Sequence, residues 1–138
     1  MDASWPKKAA DSFWLAAARN FEQRRINPAQ HQALLIPGVV CMAFSIELGI
    51  KAMILPAGIP PKTHNLAKLF IELPSNIQNK IIAACGTQRE MFFDALSKVA
   101  NSFEDWRYVY EMENPTIDLS FLSALADAVR EATDACAS

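Results

Sequence analysis

The chain has 138 residues, 51% apolar and 20% charged, with 13 Lys+Arg against 15 Asp+Glu, a net charge of −2 and a pI near 5.6. That length suits a single domain, residues 1–138, able to bury a core without disulfide or metal staples. The balance of charge excludes a globally basic nucleic-acid binder and leaves only a local basic patch, while four Gly and eight Pro are too few for a disordered or fibrous chain. Charged residues fall below the usual share of about 25%, which has three ordinary causes: a membrane segment, a large core, or a surface that meets a partner.

No apolar run follows Lys7 and Lys8, so no secretory signal is read at the N-terminus. Phe13, Trp14, Ala17 and Phe21 recur at helical spacing and predict a helix over about residues 8–24. Residues 26–37, with Pro28 and Pro37, read as a connecting loop. A second helix is expected over residues 38–55, apolar nearly all round and therefore central and buried. Residues 38–59 are also the one membrane candidate. Glu47 and Lys51 near their middle each cost about 2.5–3.5 kcal/mol in a bilayer, and Pro56 ends the helix early, so the reading is a core helix with no membrane.

After the Gly/Pro loop 57–62, Thr63 is placed to cap a short helix with Leu66, Leu69, Phe70 and Leu73 on its stripe. Ser75 with Gln78 and Thr87 with Glu90 have capping-box spacing. The first opens a helix that stops at Gly86. The second opens the longest helix, to about Glu111, with Phe92, Leu96, Val99, Phe103, Trp106 and Tyr110 on one stripe. Pro115 breaks it, and a last helix from about Thr116 or Asp118 turns Leu122, Leu125 and Val129 inward. The expected fold is all-α: an antiparallel up-and-down bundle of four long helices plus a short pair. The rings of Phe92, Phe93, Phe103, Trp106, Tyr108 and Tyr110 exceed what one narrow stripe buries, which predicts a homodimer.

Three cysteines, Cys41, Cys85 and Cys136, lie at wide spacings without a CxxC, so neither zinc nor a redox motif is indicated, and a reducing cytoplasm is the expected compartment. Cys41 and Cys85 read as small core residues. The two histidines form no metal spacing, the four glycines form no phosphate loop, and no GxSxG elbow is present. No cofactor or metal is expected. Three polar groups embedded in apolar pattern remain. Glu47 and Lys51 lie four apart on the buried helix, either as a structural pair or facing a groove. His64 follows the predicted cap, either bonded to a neighbouring loop or lining a site. Arg107 stands among Trp106, Tyr108 and Tyr110, either in a salt-bridge ladder with Glu104 and Glu111 or in an interface or base-stacking surface.

In order, Glu47-Leu48-Gly49-Ile50-Lys51-Ala52, a Gly/Pro loop, Thr63-His64-Asn65-Leu66-Ala67-Lys68-Leu69-Phe70, and Phe103-Glu104-Asp105-Trp106-Arg107-Tyr108-Val109-Tyr110-Glu111 resemble the HEPN superfamily (higher eukaryotes and prokaryotes nucleotide-binding) over about residues 38–111. The resemblance implies a dimerising helical bundle of prokaryotic defence or toxin–antitoxin systems, with its site in a groove by the dimer interface. Many members are metal-independent ribonucleases that use an Arg and a later His separated by four to six residues. Arg107 matches that arginine, but Met112, Glu113 and Asn114 stand where the histidine belongs. The resemblance therefore implies a module that binds a nucleotide, RNA or a protein partner such as an antitoxin or nucleotidyltransferase, without ribonuclease catalysis. Arg107 would hold a phosphate or carboxylate, Trp106, Tyr108 or Tyr110 would offer a stacking face, and Glu47, Lys51, His64 and Glu111 would line or flank the groove. One alternative is a metal-independent endoribonuclease using Arg107 and His64; another is a structural homodimeric subunit.

Overall fold

The computed structural model describes residues 3–22, 24–27, 30–32, 35–112 and 115–137. The fold is all-α, with helices α1 (Ser4–Phe21), α2 (Leu35–Ile54), α3 (Leu66–Phe70), α4 (Ser75–Ala84), α5 (Arg89–Val99), α6 (Ser102–Arg107) and α7 (Leu119–Ala137). A short 3₁₀ turn, Val109–Glu111, follows α6. The expected loop 26–37 is corrected: Arg24–Asn27 and Gln30–Gln32 pair as a small antiparallel hairpin, and α2 starts at Leu35. Strands this short show no alternation to read, and Pro37 is tolerated because the first helical turn has no donor to lose.

Helix α2 is the hub. Twelve of its residues are buried, among them Val39, Ala43, Ile46, Glu47 and Ile50. By length and composition it is able to cross a membrane, with a mean hydropathy of 1.6, and 56% of that apolar window is buried inside the protein. Helix α1 runs antiparallel to it, since Ala10 meets Ser45 through a 2.7 Å bond from Ser45 Oγ to the Ala10 carbonyl and Phe21 meets Gly38. Helix α7 runs parallel to α2: Met42 meets Ser123, and Gly49 meets Val129. Small residues make these approaches possible. A Cβ on Gly49 would lie 2.6 Å from Val129 Cγ1, closer than carbon atoms pack.

Polar groups fasten α1 to α7 along their outer edges. Lys7 bonds Asp11 at 3.0 Å and Asp134 at 2.9 Å, Trp14 Nε1 donates to Asp127 at 3.0 Å, and the Arg130 guanidinium lies 4.0 Å over the Trp14 ring. The Lys7 ammonium is held above its ordinary range by Asp134 and Asp11, and Asp134 below its own by Lys7.

Four long helices were expected, but among the described residues only α1, α2 and α7 are long. The predicted helix over 87–111 is broken into α5, α6 and the 3₁₀ turn. At the break Asn101 leaves helical geometry (φ −102°, ψ 19°). The Ala100 carbonyl accepts instead from the Leu66 amide at 2.9 Å, and Ser102 Oγ turns back onto the Val99 carbonyl at 2.6 Å. One of the orphan amides of α3 is thus satisfied by a carbonyl of another helix. All three cap assignments also change. Asn65, not Thr63, caps α3, accepting from the Lys68 amide at 3.0 Å, while Thr63 Oγ1 accepts from the Asn65 amide. Pro74 precedes α4, and the Gln78 amide turns inward to the Leu73 carbonyl at 2.8 Å. Gln88 precedes α5, without a side-chain cap bond. Gly86 does end its helix, at φ +69°, where only glycine sits without strain. Asp118 Oδ1 accepts from the Phe121 amide to open α7, and Leu122, Leu125 and Val129 are buried as expected.

The break changes the fate of the aromatic rings. Phe92 and Trp106 are buried and Phe93 packs on the core. Phe103 stacks on Phe44 at 4.6 Å, and only Tyr108 and Tyr110 are left exposed. Cys41 and Cys85 pack half-buried against the core, and Cys136 is exposed.

Candidate functional site

Glu47 is a carboxylate in the core, 1% exposed. Burial of an isolated charge is costly, and both of its oxygens are engaged. Lys51 Nζ donates to Oε2 at 2.9 Å from one turn along α2, the i,i+4 pair expected from sequence. His64 Nδ1 lies 2.8 Å from Oε1. A carboxylate only accepts, so the hydrogen-bond network assigns the proton to Nδ1 and leaves Nε2 as the free nitrogen. His64 is carried there by the loop before α3, whose path is fixed by the Asn65 cap and the Leu66–Ala100 bond. The histidine is thus bonded across to α2, and not to a neighbouring loop.

On its other side His64 packs 4.8 Å from the Phe103 ring, and the Arg107 guanidinium lies 5.0 Å from the same ring. Arg107 also lies 5.3 Å from the Tyr108 ring and donates to the Tyr108 hydroxyl at 3.1 Å. These residues share a cleft of about 610 Å³ lined by His64, Glu104, Asp105, Arg107, Tyr108, Glu111 and Met112. The salt-bridge ladder weighed for Arg107 does not form: among the described residues none of the three carboxylates of the cleft is in ion-pair range of the guanidinium. Where the continuous helix ends after Arg107, Glu111 passes onto the 3₁₀ turn and loses the i,i+4 relation. Arg107 is therefore an exposed cation lying over two rings, a geometry stabilised by cation–π attraction of about 0.5–1 kcal/mol per ring at exposed sites.

The structure brings together His64, Arg107, Tyr108 and Glu111, with Glu47 and Lys51 behind the histidine. It does not bring Trp106 there. That indole is 7% exposed and belongs to the core, because a residue next to Arg107 on a helix points to another face; it is no stacking surface. Tyr110 is 78% exposed and outside the cleft, 6.5 Å from the Tyr108 ring. Met112 lines the cleft, while Glu113 and Asn114 lie outside the described residues. The sequence reading missed Phe103 as the wedge between His64 and Arg107 and Asp105 as a lining residue. Phe103 stands four before Arg107, the spacing that would have exposed its role, but it was absorbed into the core stripe. Among the described residues no three His, Cys, Asp or Glu side chains converge as a metal site. No family model, curated protein or solved structure matches the chain.

Proposed function

We propose that the His64–Arg107 cleft binds the phosphate and base of a nucleotide or of a short single-stranded RNA end, in a HEPN-like module of a prokaryotic defence or toxin–antitoxin system. One observation carries the reading: Arg107 lies exposed over the rings of Phe103 and Tyr108, without a carboxylate partner among the described residues, beside a histidine fixed by a buried carboxylate. A guanidinium without a carboxylate is a ready phosphate donor, and Tyr108, 47% exposed, offers a ring for a base. Glu104, Asp105 and Glu111 around it repel a long polyanion, so the fit is to one or a few nucleotides. The resemblance of the 47–52, 63–70 and 103–111 segments to HEPN proteins supports the same placement.

The test is equilibrium binding of nucleoside monophosphates and a short oligoribonucleotide at low salt. Arg107→Ala should weaken binding roughly ten- to hundredfold, the loss of charged hydrogen bonds of about 1.5–3 kcal/mol. Absence of binding at millimolar ligand, or equal binding by Arg107→Ala, refutes it.

A second reading, metal-independent ribonuclease, is favoured by the Glu47–His64 bond. A carboxylate that fixes Nδ1–H leaves Nε2 basic, the arrangement of a general base. Nε2 would take the 2′-hydroxyl proton, the 2′-oxygen would attack phosphorus, and the P–O5′ bond would break with the 5′-oxygen taking a proton from water, while Arg107 neutralises the phosphate. RNA incubated with protein and EDTA should then gain 2′,3′-cyclic phosphate ends, lost in both His64→Ala and Arg107→Ala; no cleavage at any dose leaves the binding module. The resemblance also carries the homodimer, which a monomer at micromolar concentration in sedimentation would refute.

A further inference from the structure

Glu47 is linked to two cavities through its two partners. His64 lines the polar cleft, and Lys51 lines a second, larger crevice that shares no lining residue with it. That crevice has a volume of about 810 Å³ and is walled by Pro6 of α1, Leu48 of α2 and the segment that follows α2 (Leu55, Pro56, Ile59, Pro60, Pro61), with Lys51 and Lys62 as its two charges. Ile59 is 91% exposed at its rim. No carboxylate lines it, and among the described residues Lys62 has no partner. An apolar crevice with a few convergent polar groups is the usual form of a small-ligand site, and here both groups are cations. Four prolines, three of them in the segment after α2, stiffen its wall, so little ordering entropy opposes binding.

We propose that this crevice binds a free medium-chain carboxylate, its chain against the Leu/Ile/Pro wall and its head on Lys51 and Lys62, and that the buried Glu47 transmits its arrival to His64. The proposal is independent of the nucleotide reading. The Lys51 ammonium already serves Glu47 at 2.9 Å. If the ligand draws Lys51 away, Glu47 keeps His64 as its remaining partner; if Lys51 bridges both, one negative charge is added nearby. Either way the field at the imidazole becomes more negative and favours its protonated form. The other charges around His64 are Arg107, Glu104 and Asp105 on α6 and Glu111 on the 3₁₀ turn, none of which the crevice touches. The coupling is reciprocal, so a protonated His64 in turn favours the carboxylate.

The experiment is NMR titration of the full chain at pH 7 with decanoate below its micelle concentration, set against decanol and decyltrimethylammonium. The His64 ring signals are assigned with His64→Gln, and His31, the other histidine of the chain, serves as reference. Decanoate should bind at least tenfold tighter than decanol, and Lys62→Glu, a change at an exposed residue, should remove that preference. The His64 signals should move toward their protonated positions by about fivefold in the protonation equilibrium, the lower end of usual site-to-site coupling, and remain still in Glu47→Gln. Equal binding of decanol, or binding of decanoate that leaves His64 unmoved in the unsubstituted chain, overturns the proposal.

Discussion

Replacing Glu47 by Gln keeps the volume of the side chain and removes its charge. The carboxylate is 1% exposed and accepts from both Lys51 and His64, while Lys51 and His64 are 21% and 41% exposed. Water therefore compensates the two donors, and the loss falls on the buried end. A hydrogen bond to a charged group is worth about 1.5–3 kcal/mol, but release of a buried charge returns part of its desolvation penalty. The introduced amide retains an oxygen for Lys51 and turns an NH₂ to His64, which accepts it by moving its proton to Nε2. The expected net loss is thus about 1–2 kcal/mol, visible as a lower denaturation midpoint at unchanged m. The sharper signature is the tautomer. At about pH 8.5, where a free imidazole is neutral, nitrogen-15 shifts should place the His64 proton on Nδ1 in the unsubstituted chain and on Nε2 in Glu47→Gln. The nitrogen offered to the cleft then changes from acceptor to donor. An unchanged tautomer with a stability change under about 0.3 kcal/mol would refute the buried Glu47–His64 bond and every role assigned to His64 through it.

Three further outcomes follow from the packing and the charges. Gly49→Ala gains about 1 kcal/mol of helix propensity but drives a methyl to 2.6 Å from Val129; overpacking of about 1–3 kcal/mol should win, and thermal melting should show a net loss that Gly49→Ala with Val129→Ala partly restores. Burial pushes the Cys85 thiol up to about 11 and raises that of Cys41, so iodoacetamide at pH 8 should label exposed Cys136 first, with half-buried Cys41 and Cys85 reacting more slowly until the chain unfolds; equal rates in the folded chain would contradict their partial burial. Asp134 is lowered and Lys7 raised by their contact, so the pair stabilises above the ordinary carboxylate range and below the ordinary lysine range, fading as pH falls through the first or rises through the second. Because Asp134 is 59% exposed, Asp134→Asn should cost under about 1 kcal/mol at neutral pH and nothing at pH 2; a loss that persists at pH 2 would refute the linkage.

The sequence by itself determined the features that are local or periodic. The apolar run that becomes α2, the stripes of α1 and α7, the stop at Gly86 and the Glu47–Lys51 pair all follow from spacing along one helix, where neighbours are fixed by 3.6 residues per turn. Only the tertiary structure decided where the helix expected over 87–111 breaks and which residues cap the helices. The Ala100 carbonyl is drawn to the Leu66 amide 34 positions away in sequence, and two of the three cap patterns were outweighed by bonds that Asn65 and Gln78 make instead. Beyond that break Trp106 stays in the core while Tyr110 leaves the stripe, and Arg107 comes to lie beside His64 with Phe103 between them. The site is legible in sequence as a set of residue types but not as a place. His64 meets Glu47 across 17 positions, and contacts at that range depend on how α2, α3 and α6 pack, which no spacing rule encodes.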